Sequence, residues 1–232
     1  MAADRAVAIL QTNYIPWKGY FDLIARVDEF VLYDDVQYTR RDWRNRNRIK
    51  TAQGPIWLTI PVRVAGRYLQ RIRDVEVEDT GWADKHWRSI VHHYAAAPAA
   101  ADYRGALEEL YRTTPRRWLS EINEHFLVGI CGLLEIATRV RRSSELDLTG
   151  DRSERLVNIC RQLGASTYVS GPAASSYLDA SRFQAAGIDV AWADYSGYPE
   201  YRQLHPPFDH HVSIVDLLMN EGRNAKKFLK HA

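Results

Sequence analysis

Residues 6–35 read AVAILQTNYIPWKGYFDLIARVDEFVLYDD, and this stretch decides the fold. Its two apolar runs, 6–10 and 30–33, are each short enough to be a buried strand. Between them, Pro16 begins a helical pattern that places apolar side chains on one face. A strand, a helix and a second strand in this order predict a βαβ unit with neighbouring parallel strands and a right-handed crossover. Ligands of such units bind at the carboxyl ends of the strands.

The composition of the 232-residue chain is that of an ordinary globular protein. Apolar residues make up 46% and charged residues 26%, which excludes disordered and fibrous classes. No run of about 18 apolar residues is present, and the first apolar run is too short for a signal peptide. The two cysteines, Cys131 and Cys160, are too few for a disulfide framework and fall in apolar helical stripes, so we expect both in the core. We therefore expect one cytoplasmic domain over residues 1–232.

The middle of the chain interrupts the α/β order. The apolar or alternating runs 57–62 and 72–77 predict an antiparallel pair of strands. Helical periodicity then predicts a helical insertion at about 82–140, with helices at 82–94, 103–112 and 118–140.

The final third returns to α/β order. Asp151 and Glu154 have the spacing of a capping pair at the start of a helix. The elements predicted after that helix are a strand at 167–169, a helix to about 186, a strand at 188–193 and a helix from 213 to about 222. The whole pattern predicts a Rossmann-like three-layer α/β fold with a mostly parallel sheet and a helical and antiparallel insertion.

Polar side chains cluster directly after the first predicted strand. Gln11, Asn13 and Tyr14 follow it, and Gly19 lies near the start of the helix. We predict that these four residues bind substrate, and that backbone N–H groups at the helix start receive an anion. In the alternative interpretation this is an ordinary turn, in which Gln11 and Asn13 bind local backbone.

The spacing of Pro16, Gly19 and Tyr20 resembles the signature turn of nucleotidylyltransferases. Those enzymes have a proline and then a Gly-His pair that opens a helix after the first strand. Tyr20 stands at the position of that histidine and is a candidate catalytic residue. Because the imidazole that stabilises the transferring phosphate is missing, the resemblance implies a fold rather than that activity.

The second predicted strand ends in two adjacent carboxylates, Asp34 and Asp35, followed by Gln37. Paired carboxylates at a strand end bind a metal, accept protons or hold an amine. Adjacent residues of an extended segment point to opposite sides, so we expect one aspartate to enter the pocket. Asp35 is the candidate catalytic residue, and Asp34 and Gln37 are candidate binding residues. The two aspartates alone do not make a metal site, and in the alternative interpretation both pair with downstream arginines.

Residues 41–48 mix arginine, asparagine and tryptophan with a single acid, Asp42. Such a segment suits nucleic acid, a small anion or a solvated run of charges. The net charge of only +2 and the lack of a zinc-finger or RNA-binding signature favour a small anion. The predicted binding residues of this segment are Arg41, Trp43, Asn45, Arg46, Asn47 and Arg48.

Later segments add candidates at the same strand ends. Ser170 and Gly171 follow a predicted strand, and without a Gly-x-Ser-x-Gly elbow we expect the Ser170 hydroxyl to line the pocket. Tyr195 and Gln203 follow the last predicted strand and are expected to close the site. Among the eight histidines, His93 is the best candidate for a general base.

Residues 11–21, 33–37, 43–48, 170–171 and 213–222 together resemble the WbqC-like protein family. The resemblance covers almost the whole chain. It implies a bacterial protein associated with gene clusters for O-antigen and other surface glycans. It carries no assigned catalytic residue, so the candidate site above rests on the predicted strand ends.

These observations favour a transferase that moves an acyl or aminoacyl group to an amino sugar or similar activated metabolite. Its anionic substrate would be a nucleotide sugar, an acyl donor or a carrier, and the sequence specifies no cofactor. In this hypothesis Arg46 and Arg48 stabilise the anion, and Asp35 or His93 takes a proton from the attacking amine.

Two alternatives stay open: a nucleotidylyltransferase-like enzyme, and a non-catalytic nucleotide-sugar-binding protein of glycan assembly. We expect no nucleic acid and no membrane span, and a homodimer is compatible with each hypothesis. The proposed site requires Asn13, Asp35 and Arg46 to converge at one mouth above the sheet.

Overall fold

A computed structural model describes residues 4–232 and shows a parallel sheet flanked by helices. The strands are β1 (Ala6–Leu10), β2 (Glu29–Leu32), β3 (Arg46–Thr51), β4 (Gly54–Thr59), β5 (Arg139–Arg142), β6 (Thr167–Ser170) and β7 (Asp189–Trp192). The helices are α1 (Lys18–Ala25), α2 (Trp82–Tyr94), α3 (Ala100–Thr113), α4 (Leu119–Leu133), α5 (Arg152–Gln162), α6 (Ala180–Ala185) and α7 (Ile214–Glu221). Short 3₁₀ turns lie at Ile72–Asp74, Ser143–Glu145, Pro172–Ser176 and Gly222–Phe228.

The strand order across the main sheet is β5–β2–β1–β6–β7, and every neighbouring pair is parallel. The chain winds outward from β1 through β2 to β5 and then returns to place β6 on the other side of β1. The topological switch point therefore lies between β1 and β6. This arrangement confirms the predicted α/β fold with a mostly parallel sheet.

Both faces of the main sheet are buried. Ala8 packs into a core shared with α1–α4 and α7, whereas Val7 and Ile9 pack into a second core with α5 and α6. Because neighbouring residues of a strand point to opposite faces, one apolar run supplies both cores. As expected, both cysteines are buried: Cys131 lies in the first core and Cys160 in the second. Burial raises the pKa of both thiols to about 12.

The insertion between β2 and β5 begins with a hairpin of β3 and β4. Its register pairs Arg46 with Thr59 and Thr51 with Gly54, so the predicted pairing of 57–62 with 72–77 is wrong. Gly54 has a φ of 108°, which lets the chain fold back directly after the arginine-rich segment. Of the predicted pair, the structure contains one isolated antiparallel bridge, between Val62 and Val77.

The helix predicted at 118–140 is also corrected, because α4 ends at Leu133 and β5 follows it. Glu135 has a positive φ of 53°, and the N–H of Ile136 donates back to the carbonyl of Cys131, which terminates the helix. β5 has the sequence RVRR, and its Arg141 pairs with the buried Glu29 of β2 at 3.2 Å. A strand of this composition has no apolar run to reveal it.

The segment after β6 differs from prediction as well, because a 3₁₀ turn and the short α6 replace a continuous helix to residue 186. The predicted strands at 167–169 and 188–193 and the helix from 213 are present as β6, β7 and α7. No helix within residues 4–232 combines the length and apolar character needed to cross a bilayer.

Candidate functional site

A cavity of about 680 Å³ lies at the carboxyl ends of β1 and β6. We call it the switch-point cavity, because open doubly wound sheets bind their ligands at this point. Five residues predicted from the sequence line it, namely Gln11, Asp35, Gln37, Ser170 and Gly171. The polar residues that the sequence prediction did not include are Tyr33, Thr39, Arg44, Asp151, Arg152, Arg155, Tyr168 and Tyr177.

Arg44 joins the end of β1 to the arginine-rich segment. Its Nη2 donates to Oε1 of Gln11 at 3.0 Å, and its Nη1 lies 3.5 Å from Oδ1 of Asn13. Nη1 also pairs with Asp42 at 3.0 Å. The Nε of Arg44 is buried and has no hydrogen-bond partner within residues 4–232. Arg44 therefore carries one buried donor that no group within residues 4–232 satisfies.

Two further arginines come from the start of α5. Asp151 caps this helix by accepting from the N–H groups of Ser153 and Glu154, and the predicted capping pair is confirmed. Arg152 packs its guanidinium 3.9 Å from the centre of the Tyr177 ring. Arg155 donates from Nε to the carbonyl of Gly150 at 2.9 Å.

These two arginines make the switch-point cavity electropositive. Within residues 4–232, neither Arg152 nor Arg155 forms an ion pair, and the nearby Asp151 is already paired with Arg182 at 2.6 Å. A guanidinium without a carboxylate partner at a cavity wall is suited to a phosphate or carboxylate of a ligand.

The adjacent aspartates have different surroundings. Asp35 accepts from Ser143 Oγ and from Arg73 Nη1, each at 2.7 Å. Asp34 accepts from the N–H of Thr12 at 2.9 Å and from its hydroxyl at 2.8 Å. Burial raises the pKa of Asp34 to about 6, although the bonds from Thr12 and the nearby Arg44 oppose the shift.

The two aspartates also differ in the space they face. Both line a second cavity of about 350 Å³ between the ends of β2 and β5, whereas Asp35 also lines the switch-point cavity. This agrees with the expectation that only one aspartate reaches the main pocket. Within residues 4–232, no group of three or more His, Cys, Asp or Glu side chains is arranged to hold a metal ion.

Comparison with known proteins places the chain in a family. The model of the WbqC-like protein family matches residues 11–228. The chain belongs to the WbqC-like protein family. It is also 49% identical over 227 residues to an uncharacterized protein of Mycobacterium tuberculosis, with 98% of each chain covered. No solved structure is significantly similar to it.

Several residues that the sequence analysis assigned to the pocket are structural in this WbqC-like protein. Tyr20 is buried and donates its hydroxyl to the carbonyl of Gln11 at 2.8 Å, so it fixes the strand end and does not face the cavity. The Tyr14 hydroxyl is buried against His86 Nδ1 and the Tyr111 hydroxyl. Burial raises the pKa of Tyr14 and Tyr20 well above the ordinary value. Gly19 leaves room for the ring of Trp17, which a Cβ at residue 19 would meet at 2.3 Å.

The asparagines of the arginine-rich segment hold its backbone in place. Asn45 donates to the carbonyl of Ile60, and Asn47 donates to the carbonyls of Tyr14 and Ile15. The Asn47 contacts support Ile15, whose φ of 34° is unusual for a branched residue. Both side chains are buried, and their hydrogen bonds stabilise the backbone of this region.

The remaining arginines of this segment lie on the outer face of the hairpin. Arg46 stacks 4.1 Å from the Trp57 ring and donates to the carbonyl of Arg41 at 2.5 Å. Arg48 donates to the carbonyl of His211 at 2.8 Å. None of Arg41, Arg46 and Arg48 lines the switch-point cavity. The structure therefore does not bring Asn13, Asp35 and Arg46 together in this cavity: Asp35 lines it, Asn13 does not, and Arg44 rather than Arg46 contacts Gln11 at its wall.

Three other candidates lie away from the cavity lining. His93 is near the end of α2, beside His92, and its carbonyl lies 3.3 Å from His205 Nε2. Gln203 is buried and contacts Lys50 and Tyr201. Tyr195 packs edge-on against Trp17, and its hydroxyl would lie 3.6 Å from a Cβ at Gly171, so it borders the switch-point cavity from behind.

The sequence reasoning missed Arg44, Arg152 and Arg155 as binding residues. The signal for the last two was present, because the capping pair marks the start of α5. They reach the cavity because α5 follows β5, and the helix after a parallel strand begins at the carboxyl edge of the sheet. The helical pattern over residues 118–140 gives no signal for β5, and the sequence therefore does not predict this position of α5.

Proposed function

We propose that this WbqC-like protein is a transferase whose anionic substrate binds in the switch-point cavity. The observation that carries the proposal is the pair of arginines, Arg152 and Arg155, which face the cavity without an ion-pair partner in residues 4–232. Arg44 also lines the cavity, where it donates to Gln11 at the end of β1 and supplies a third guanidinium. Three guanidinium groups around one cavity fit a phosphate, a diphosphate or a carboxylate.

In the proposed reaction an amine of an amino sugar or similar activated metabolite attacks the carbonyl carbon of an acyl or aminoacyl donor. The new C–N bond forms, the donor's leaving group departs with its bonding electrons, and the amine loses a proton. Asp35 fits the role of proton acceptor, because its carboxylate lines the switch-point cavity. Arg73 and Ser143 donate to Asp35 and hold it in place, whereas Asp34 lies outside this cavity and accepts from Thr12.

The resemblance to proteins of surface-glycan gene clusters supports a role for this reaction in the biosynthesis of such glycans or of a related metabolite. The location of the cavity supports an enzyme with an activated, phosphate-bearing substrate. A nucleotide sugar, an acyl donor and an acyl carrier all share that chemistry.

Isothermal titration with pyrophosphate tests the anion site. We expect the Arg152→Ala/Arg155→Ala double variant to bind pyrophosphate about 10- to 100-fold more weakly than the unmodified chain, because charge-assisted hydrogen bonds are lost. Arg161→Ala is the matched control, since Arg161 is exposed on the same helix but does not line the cavity. Equal affinity in the double variant and the unmodified chain would show that the anion site is elsewhere.

A second experiment tests catalysis. Thermal-shift screening with nucleotide sugars, nucleotides and acyl carriers identifies the ligand class, because a ligand of the native state raises the melting temperature. Incubation of the best ligand with an acyl donor and with glucosamine, followed by mass spectrometry, should show an acylated amine that Asp35→Asn fails to form. Binding without any product over a range of amine acceptors would favour the non-catalytic binding protein.

A further inference from the structure

A third concave site lies beside the switch-point cavity, and three of its six lining residues are aromatic. Its volume is about 240 Å³, and we call it the tryptophan slot. The residues that line it are Asn13, Pro16, Trp17, Trp43, Asn47 and His211. An apolar pocket with a few polar groups at its edge is the usual form of a small-molecule site.

Trp43 lies in the wall of the slot with 39% of its surface exposed, and its backbone is hydrogen-bonded on both sides. Its N–H donates to Asp42, and its carbonyl accepts from the N–H of Tyr14 at 3.0 Å. On one side its ring centre lies 5.4 Å from that of Trp57, whose own ring is covered by the Arg46 guanidinium. A fixed, half-exposed indole presents a ready surface for stacking a planar ring.

Arg44 lies between the tryptophan slot and the switch-point cavity. Asn13 lines the slot, Gln11 lines the cavity, and Arg44 contacts both side chains. A phosphate held by the Arg44 guanidinium would therefore lie between the two spaces. One ligand with an anionic part and a planar part therefore fits both sites together.

We infer that the tryptophan slot binds the nucleobase of a nucleoside diphosphate whose phosphates lie on the arginines of the switch-point cavity. The base stacks on Trp43, and the Asn13 amide and the His211 imidazole contact its polar edge. This inference rests on the proposed function for the phosphate part, and it adds that the activated substrate is a nucleotide. In this binding mode Arg44 contacts the ligand between its base and its phosphates, because Arg44 contacts a wall residue of each space.

The test compares two probes that differ by the nucleoside. Titration with pyrophosphate measures the anion site alone, and titration with UDP or ADP measures the anion site together with the slot. We expect one of the nucleotides to bind at least tenfold more tightly than pyrophosphate. Trp43→Ala should remove most of that advantage, since stacking on an aromatic side chain typically supplies about tenfold or more. The same variant should leave pyrophosphate binding unchanged.

Trp192→Ala is the matched control, because Trp192 is 37% exposed on β7 and lines neither space. Trp43→Phe should keep part of the nucleotide advantage, which separates loss of stacking from local unfolding. His211→Ala gives a second slot variant at a more exposed side chain.

The outcomes of the two proposals are distinct. If pyrophosphate does not bind, or binds equally to the Arg152→Ala/Arg155→Ala variant, the proposed anion site fails. If pyrophosphate binds as expected but UDP and ADP bind no more tightly, the nucleobase inference fails alone. It also fails if Trp43→Ala weakens pyrophosphate and nucleotides equally, or leaves the nucleotide advantage intact.

Discussion

The switch-point cavity and the buried region around Asp216 are both rich in charged and hydroxyl side chains, but they differ in how those groups are paired. At the switch-point cavity, Arg152 and Arg155 have no ion-pair partner within residues 4–232. Around Asp216, each polar group contacts another one. We call this second region the Asp216 network.

The Asp216 network joins β3, α2, α7 and the segment after β7. Both oxygens of Asp216 accept from tyrosine hydroxyls, Tyr201 at 2.7 Å and Tyr94 at 2.8 Å. Gln203 donates to the Tyr201 hydroxyl and accepts from Lys50 Nζ at 2.5 Å. Lys50 also donates to the carbonyl of Pro207. Every one of these side chains is buried, so the network cross-links four parts of the chain.

The difference shows that a high density of charged residues does not by itself mark a binding site. In the Asp216 network the donors and acceptors are used within the protein, whereas Arg152 and Arg155 line the switch-point cavity and have no ion-pair partner within residues 4–232. Binding chemistry requires the second condition, because a buried group that is already satisfied gains nothing from a ligand.

Asp216→Ala gives the largest effect that we predict. Two buried hydroxyls lose their acceptor and the buried Lys50 loses a nearby carboxylate, so the free energy of unfolding should fall by about 3–5 kcal/mol. Urea denaturation followed by circular dichroism measures this loss. Asp189→Ala, at an exposed residue of β7, should stay within about 0.5 kcal/mol of the unmodified chain.

The comparison also requires that pyrophosphate affinity of the folded Asp216→Ala variant stays within about twofold of the unmodified value, a change of roughly 0.4 kcal/mol. A large loss of pyrophosphate binding in protein that is still folded would place the Asp216 network in the binding machinery and remove the distinction between the two regions.

Asp34→Asn tests the other kind of buried carboxylate. Burial raises the pKa of Asp34 from an ordinary value of 3.8 to about 6, so the folded state holds a proton that the unfolded chain releases earlier. The contribution of Asp34 to the free energy of unfolding is therefore fully present below about pH 4. It is lost as the pH rises through about 6. The full loss is about 3 kcal/mol.

Replacement by neutral asparagine removes that loss. We expect Asp34→Asn to unfold with a free energy about 1–3 kcal/mol higher than the unmodified chain at pH 8, and nearly equal at pH 4. Arg44 and Asp35 are the charged neighbours, and both are unchanged in the variant. Asp189→Asn is the control with no such pH dependence. A variant that is less stable at pH 8 would mean that the ionised carboxylate is needed for the fold.

The parallel core of the fold was predictable because apolar runs and their order are local signals. The run 6–10 is β1 as predicted, and the polar residues at the ends of β1 and β6 do meet at one cavity. β5 was missed because its residues are RVRR, and its position depends on pairing with β2, which no local pattern records. Because α5 follows β5, the location of Arg152 and Arg155 could not be predicted without this strand.

The arginine-rich segment shows where residue type alone misleads. Arg44 precedes β3 and reaches the end of β1, while Arg46 and Arg48 lie within β3 and share one face with Trp57 of β4. The alternation of side chains along a strand explains why Arg46 and Arg48 point the same way. Which face that is depends on the hairpin register, and the register was not predicted.

We expect the smallest effect from Arg46→Ala. This variant is also the most specific test of the conclusion that Arg44, and not Arg46, belongs to the anion site. The variant loses a stacked cation at an exposed tryptophan, so we expect the free energy of unfolding to fall by only about 0.5–1 kcal/mol. Pyrophosphate affinity should stay within about twofold, whereas Arg44→Ala should weaken it by about tenfold. Titration of the two variants side by side is a matched comparison, because the residues are two positions apart in the same segment. If Arg46→Ala weakens pyrophosphate as much as Arg44→Ala does, the ligand extends over the outer face of the hairpin and the anion site is larger than the switch-point cavity.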